Sequence, residues 1–307
     1  MENGKNVLLI AGGGTLGTYV AEELLRLGHY VDVVCLEDKT SNHERLTFYK
    51  GSATLEYLET LFAAKHYHGI VNFIHYPEVE DYIPYHKLLT ENTDHLIFLS
   101  SYRVYANEQH PITEEAPMLL DVVDDPFFQQ DEKYALSKAR CERYIRGCDC
   151  RKNWTFVRPV ISFSQYRLDM IMHTGNRVIE AMRSGEPMKV PVEAKNFVAG
   201  LDWSGNTGKI IANLLFKEQC IGEAYTITSA QGLTWSQVAD AYTQVLGISF
   251  EWVPADFAPD NWAWKFDRAF DRPVDNSKVL KATGLTPRDF KSIKEGIEIE
   301  CAKLGVI

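Results

Sequence analysis

The chain opens on a short apolar run, "NVLLIAG", and the same arrangement of short apolar run followed by a longer mixed segment then recurs. "YVDVVCL", "GIVNFIH" and "HLIFLSS" are runs of this kind, short and rich in β-branched residues, and each reads as a strand buried on both faces. Between them, Leu16 to Leu27, "TLEYLETLFAA" and a stretch near Tyr85 carry helical patterns. The alternation predicts a parallel sheet with helices on both sides. Gly28, just past Leu27, stands where a helix-ending glycine is expected. "WTFVRPVIS" reads as one further strand.

Beyond about Ser164 the rhythm changes. Helices are predicted near Arg177 to Arg183, Gly208 to Phe216 and Trp235 to Leu246, with a strand "EAYTITS" before the last of these. The expected organisation is α/β: a Rossmann-type doubly wound parallel sheet over residues 1–164, then a smaller C-terminal, mainly substrate-binding domain over 165–307, with strand 223–229 returning to the sheet.

Composition narrows the function classes. At 307 residues and 45% hydrophobic, the chain can bury a sizeable core, and its formal net charge of -10 argues against nucleic acid and anionic membranes as general partners. No run approaches the roughly 20 apolar residues of a membrane span. "MENGK" leads straight into a strand without secretory character, so a cytoplasmic protein with reduced thiols is expected. Cys148 and Cys150 form C-D-C with Cys141 upstream, but no second pair follows at zinc-ribbon spacing. His66, His68 and His75 come without a third ligand, and no metal site is expected.

"IAGGGTLG" places Gly12, Gly14 and Gly17 as G-x-G-x-x-G directly after a strand, with Thr15 and Leu16 opening the next helix. Glycines at that spacing allow a tight turn, close approach of a pyrophosphate and tight helix–strand packing, and the helix start offers N–H groups to the anion. The acid expected at the end of the second strand is displaced: Cys35 stands there, with Glu37 and Asp38 beyond it. Two acids and no arginine favour NAD and leave NADP open. Further on, Ser100 and Ser101 end a predicted strand, and "YALSK" sets Tyr134 and Lys138 one helical turn apart on one face. An unperturbed tyrosine is a poor base at neutral pH, and a neighbouring ammonium would lower its pKa.

Glycine loop, strand-end serine and Tyr–Lys pair, in that order, resemble the extended short-chain dehydrogenase/reductases, in the branch of NAD-dependent nucleotide-sugar epimerases and dehydratases. "LSSYRVYA", "PITEEAP", "FVRPVIS", "SGEPMKVPV", "GEAYTITS" and "DNSKVLKATGLTP" extend the likeness over most of the chain. The resemblance implies a catalytic set of Ser101, Tyr134 and Lys138, with Lys138 also touching the nicotinamide ribose. It implies a cofactor held at Gly12, Gly14, Thr15, Leu16 and Gly17, a nucleotide-sugar substrate, and a homodimer packed through the YALSK helix and its neighbour.

Departures from the family pattern carry information too. Dehydratases of the family have an Asp-Glu pair after the catalytic serine or threonine, where this chain has Tyr102 and Arg103, so dehydration by that route is disfavoured. The usual glycine after Val-Tyr is Ala106, the usual His-Leu-Ala-Ala is His75-Tyr76-Pro77-Glu78, and Ser52 replaces an acid often found after the third strand. Lys195, Arg268 and Arg272 are candidates for substrate phosphates, and Trp252, Trp262 and Trp264 for stacking. Two other readings stay open: a reductase or dehydrogenase of a non-nucleotide carbonyl or alcohol, and a cofactor-sensing or scaffold protein that has lost catalysis.

Overall fold

The computed structural model describes residues 4–124, 132–173, 175 and 177–307. In chain order its strands are β1 (Asn6–Ile10), β2 (Tyr30–Cys35), β3 (Leu46–Lys50), β4 (Tyr67–Asn72), β5 (Thr93–Leu99), β6 (Trp154–Pro159), β7 (Ile161–Phe163), β8 (Met188–Pro191), β9 (Leu201–Trp203), β10 (Ala224–Ile227) and β11 (Phe250–Val253). The α-helices are α1 (Thr15–Arg26), α2 (Leu55–Ala64), α3 (Val79–Glu91), α4 (Leu119–Val122), α5 (Lys133–Gly147), α6 (Arg177–Ser184), α7 (Ser204–Leu214), α8 (Trp235–Leu246), α9 (Ser277–Thr283) and α10 (Ile293–Lys303).

Seven strands pair in parallel in the order β10-β6-β5-β4-β1-β2-β3, a Rossmann-type doubly wound sheet. The strands alternate their side chains between two covered faces. Val7 and Leu9 of β1 pack with Val20 and Leu24 of α1 and Ile210 and Ile211 of α7, while Leu8 and Ile10 pack with Tyr82 and Leu89 of α3 and Ile145 of α5. That two-sided burial is why these segments read as unbroken apolar runs. β3 is the exception: as the outermost strand it is half-exposed, and its sequence "LTFYK" lacks such a run.

The stretch "WTFVRPVIS" is two strands, not the one expected. β6 stays in the main sheet, the ladder stops at Val160, and β7 leaves to pair with β9. β8 and β11 form a third, two-stranded sheet. A separate core gathers Phe163, Met170, Val190, Trp235, Tyr242 and Ile297 beside the carboxyl ends of the main strands. Among the described residues, no helix is long and apolar enough to cross a membrane.

Helices α1 and α7 meet with almost no space between them at Gly208. A Cβ there would fall 2.6 Å from Tyr19 Cβ and 2.7 Å from the Tyr19 carbonyl carbon, which is backbone and cannot turn aside. Alanine would gain about 1 kcal/mol of helix propensity, but overpacking against fixed neighbours costs typically about 1–3 kcal/mol. Gly208→Ala should therefore lower the unfolding temperature, with a net loss of up to about 2 kcal/mol; calorimetry showing a higher Tm would contradict this account of the helix contact.

Candidate active site

β1 and β4 lie side by side with successive strands running away from them in opposite directions, which opens a crevice at their carboxyl ends. β1 runs into Ala11, whose φ of 56° is left-handed, and the chain then turns through Gly12 to Gly14. The glycines serve different ends. A Cβ on Gly17 would sit 2.2 Å from the Gly12 carbonyl oxygen, and one on Gly12 would sit 2.7 Å from Leu9 Cβ, so both are packing positions. Gly14 has nothing within 4 Å on that side. It is also the N-cap of α1, with no side-chain capping bond and no acid in the first turn, so the helix start is open to an anion.

The displaced acid is resolved by position. A Cβ on Gly13 would fall 2.6 Å from Glu37 Oε2 and 2.7 Å from Cys35 Cβ, which puts the Glu37 carboxylate directly beside the glycine loop. Lys39 donates its ammonium to the Gly13 carbonyl, and Asp38 pairs with Lys50 at 3.0 Å. The open side of Gly14, the uncapped helix start at Thr15 and Leu16, and the carboxylate of Glu37 fit the pyrophosphate and ribose of a dinucleotide.

At the far end of the crevice, Ser101 follows β5 and caps a short 3-10 turn, its Oγ accepting from Arg103 N at 3.3 Å. Tyr134 enters from the first turn of α5 and lines the same cleft as Ser101. Burial pushes the phenol above its ordinary value, while Arg103, Ser101 and Arg167 pull it down and Glu132 pushes it up. Lys138, one turn on, is fully buried and donates to Leu99 O at 2.6 Å and Ile74 O at 3.1 Å. Burial lowers its pKa to about 8. Ser101 and Tyr134 face one cleft, Lys138 is held beside it by the carbonyls of Leu99 and Ile74, and the cation that acts most on the phenol is Arg103. Its guanidinium carbon lies 5.5 Å from the Tyr134 ring and 4.3 Å from the Trp262 ring, and it is ion-paired to Glu132.

His75 stands behind this group, its Nε2 2.7 Å from Ser137 Oγ and its ring 5.0 Å from that of Tyr134. Burial, then Lys138, lowers its pKa, so the imidazole is neutral at physiological pH. Tyr102 turns away from the phenol and donates to Asp267 at 2.6 Å.

One cleft of about 840 Å³ runs from Thr15 and Leu16 past Ser101 and Tyr134 to Arg167, Arg177, Trp262 and Arg268. Of the residues flagged for substrate phosphates, Arg268 lines it. Arg272 lies buried against Tyr102, and Lys195 lies over the Trp252 ring at 5.7 Å, away from the cleft lining. Trp262 is the flagged tryptophan on the cleft wall; Trp252 and Trp264 pack on the neighbouring core. Arg167 and Arg177 were not singled out from sequence, because lone arginines in a stretch without periodicity carry no local signal. Arg167 bonds Asp169 at 2.6 Å, and Arg268 bonds the same carboxylate at 3.2 Å.

A family model described as "NAD dependent epimerase/dehydratase family" matches residues 8–196. No curated protein matches the sequence. Among solved structures, an epimerase of Methanothermobacter thermautotrophicus is similar at 15% identity and TM-score 0.71, covering 98% of this chain and 94% of its own. The Bordetella bronchiseptica enzyme WbmG, solved with NAD and UDP, gives 17% and 0.71 over 99% and 97% of the two chains. A Thermotoga maritima UDP-glucose 4-epimerase, solved with UDP-glucose, gives 18% and 0.69 over 98% of each. At such identities the likeness is one of fold.

The loop itself offers a test. Ala11 is exposed, so its methyl gains nothing from burial, yet a left-handed backbone costs an L-residue roughly 1–2 kcal/mol. Ala11→Gly should stabilise the fold by up to about 1 kcal/mol, the greater freedom of the unfolded glycine offsetting the remainder; denaturant titration reads the change.

Proposed function

Since the chain belongs to the NAD dependent epimerase/dehydratase family, we propose that it is an NAD-using epimerase of nucleotide-sugars, in which Tyr134 exchanges a proton with a sugar hydroxyl. The observation that carries this reading is the single cleft joining the open helix start, the Ser101–Tyr134 pair and the arginines of the C-terminal half. A bound nicotinamide would supply reversible hydride exchange at the sugar carbon. Gly12, Gly14, Thr15, Leu16 and Gly17, with Glu37, would hold the dinucleotide, and Lys138 would face its nicotinamide ribose. The neighbours solved with NAD, with UDP and with UDP-glucose support the same pairing of cofactor and substrate class.

In this reading Ser101 fixes the sugar oxygen and Tyr134 takes its proton, then returns it when the carbon is reduced from the opposite face. The phenol must be ionised to act as base, and burial works against that. Arg103 and Arg167 work for it, and a cationic nicotinamide would add to them. Arg167, Arg177 and Arg268 would hold the diphosphate, since planar guanidinium forks suit phosphate oxygens. Positions 102 and 103 supply no carboxylate: Tyr102 is tied to Asp267 and Arg103 is a cation, which supports epimerisation over water loss. Residues 1–164 with β10 would form the cofactor half and most of 165–307 the substrate half. A homodimer through α5 and its neighbour α3 belongs to the same proposal, supported by the exposed Ile83 on α3.

Tyr134→Phe should cut turnover by about two to four orders of magnitude with nucleotide-sugar substrates while leaving the circular dichroism spectrum unchanged. Epimer formation without net NADH is expected in the parent enzyme. Stoichiometric NADH would identify a net dehydrogenase, and unchanged turnover in the variant would remove Tyr134 from the chemistry.

The pH profile tests Arg103. Activity that needs the phenolate rises with pH through the pKa of Tyr134, so removing the guanidinium that holds that pKa down should move the rising limb to higher pH. Arg103→Met is expected to show this displacement in kcat/KM. A limb that stays in place would mean that Arg103 has only a structural role.

A further inference from the structure

Some distance from the cleft, three ligand-bearing side chains from two helices converge. His86 lies on α3, Cys148 is the C-cap of α5, and Cys150 follows in the bend after it. A ring nitrogen of His86 and the two sulfurs all lie within 4.8 Å of one another. From sequence no metal site is expected at the C-D-C pair, because a histidine 62 positions before Cys148 offers no spacing signal.

The second observation concerns the imidazole itself. His86 is fully buried, and its Nδ1 lies 3.1 Å from the Tyr82 hydroxyl. Its Nε2 is buried too and has no hydrogen-bond partner. A buried ring nitrogen left unpaired calls for an explanation. With Nδ1–H donating to Tyr82, Nε2 carries a bare lone pair, and a second-shell bond of this kind is what orients a metal-bound histidine. Both cysteines are free thiols and half-buried, so the side of the cluster opposite His86 is open to an incoming ion.

We propose that His86, Cys148 and Cys150 form a zinc site that ties α3 to the end of α5. One imidazole and two thiolates are soft donors of the kind zinc favours, and solvent would complete the tetrahedron. Tetrahedral zinc bonds of about 2.0–2.3 Å set ligand atoms roughly 3.5 Å apart, so a pair at the 4.8 Å limit would have to close by about 1 Å. The bend at 148–150 lies outside the helix and can supply that movement. The role is structural: the ion would fix the far end of the helix whose first turns carry Tyr134 and Lys138. The inference is independent of the substrate assigned to the cleft.

Full-length protein, stripped of metal and kept reduced, would be titrated with cobalt(II) and then with zinc. One equivalent of cobalt should bind with the sulfur-to-cobalt charge-transfer absorption of thiolate ligation, zinc should displace it, and zinc should raise the Tm. The Cys148→Ser, Cys150→Ser double variant should lose all three responses, and His86→Gln should weaken zinc binding at least tenfold. Because His86 is a core residue whose replacement can disturb folding, the half-buried cysteines carry the decision. A chain with all its thiols reduced that shows no charge-transfer band, or a band that survives in the double cysteine variant, overturns the site.

Discussion

The buried ammonium of Lys138 is the interaction on which the arrangement of the cleft depends. It bridges the carbonyl of Leu99, at the end of β5, and that of Ile74, just past β4, so α5 is fastened across the carboxyl ends of two neighbouring strands. Burying a cation among neutral dipoles is costly, and the lowered pKa records that cost, which amounts to roughly 3 kcal/mol at neutral pH. The sign is informative. Because the folded pKa lies below the unfolded one, the penalty is fully present below about pH 8 and is relieved as pH rises toward the unfolded value. A lysine chosen for stability alone would not be placed there. Its position makes sense as the part that holds Tyr134, one turn away, over the crevice. Glu142, a further turn on, repeats the attachment through a buried ion pair with Arg158 of β6, at 2.9 Å.

The second constraint is the lattice of arginines and carboxylates closing the other side of the cleft. Arg103 with Glu132, Arg268 with Asp267, and Arg167 and Arg268 with Asp169 are ion pairs in which at least one partner is buried. Such pairs add little to stability once desolvation is counted, but they fix guanidinium orientation. Among the described residues the cleft wall itself carries four arginines, Arg103, Arg167, Arg177 and Arg268, against one carboxylate, Asp267. Glu132 and Asp169, behind that wall, compensate much of this charge, so the cleft presents guanidinium forks held in fixed orientations rather than a large net positive charge.

What could be read from the sequence follows the range of the interactions. The central sheet was legible because its strands are covered on both faces. The glycine loop and the Tyr134–Lys138 pair were legible because their chemistry sits within one turn of chain. β3, exposed at the sheet edge, lacked an apolar run, and the break at Val160 was hidden inside a continuous one. Arg167, Arg177 and the approach of Glu37 to Gly13 arise from tertiary packing, and nothing in local spacing announces them. The hydrogen bonds of Lys138 were hidden for the same reason. The spacing puts the two side chains on one face of α5, but the carbonyls that take the ammonium's hydrogen bonds come from β5 and the segment after β4.

Position 103, where dehydratases of the family carry a carboxylate, sets the charge beside Tyr134. A carboxylate beside Tyr134 would add negative charge next to a phenol already disfavoured from ionising by burial, and would push its pKa further up. The guanidinium found there does the reverse. Its charge favours the phenolate, it lies over the rings of both Tyr134 and Trp262, and its ion pair with Glu132 keeps it in place. Glu132 is also the N-cap of α5, accepting from Ala135 N at 2.6 Å, so the residue that anchors Arg103 is the one that starts the helix bearing Tyr134. Any shift of that helix start moves phenol and guanidinium together, which preserves their spacing and makes the cap, the cation and the phenol one mechanical unit.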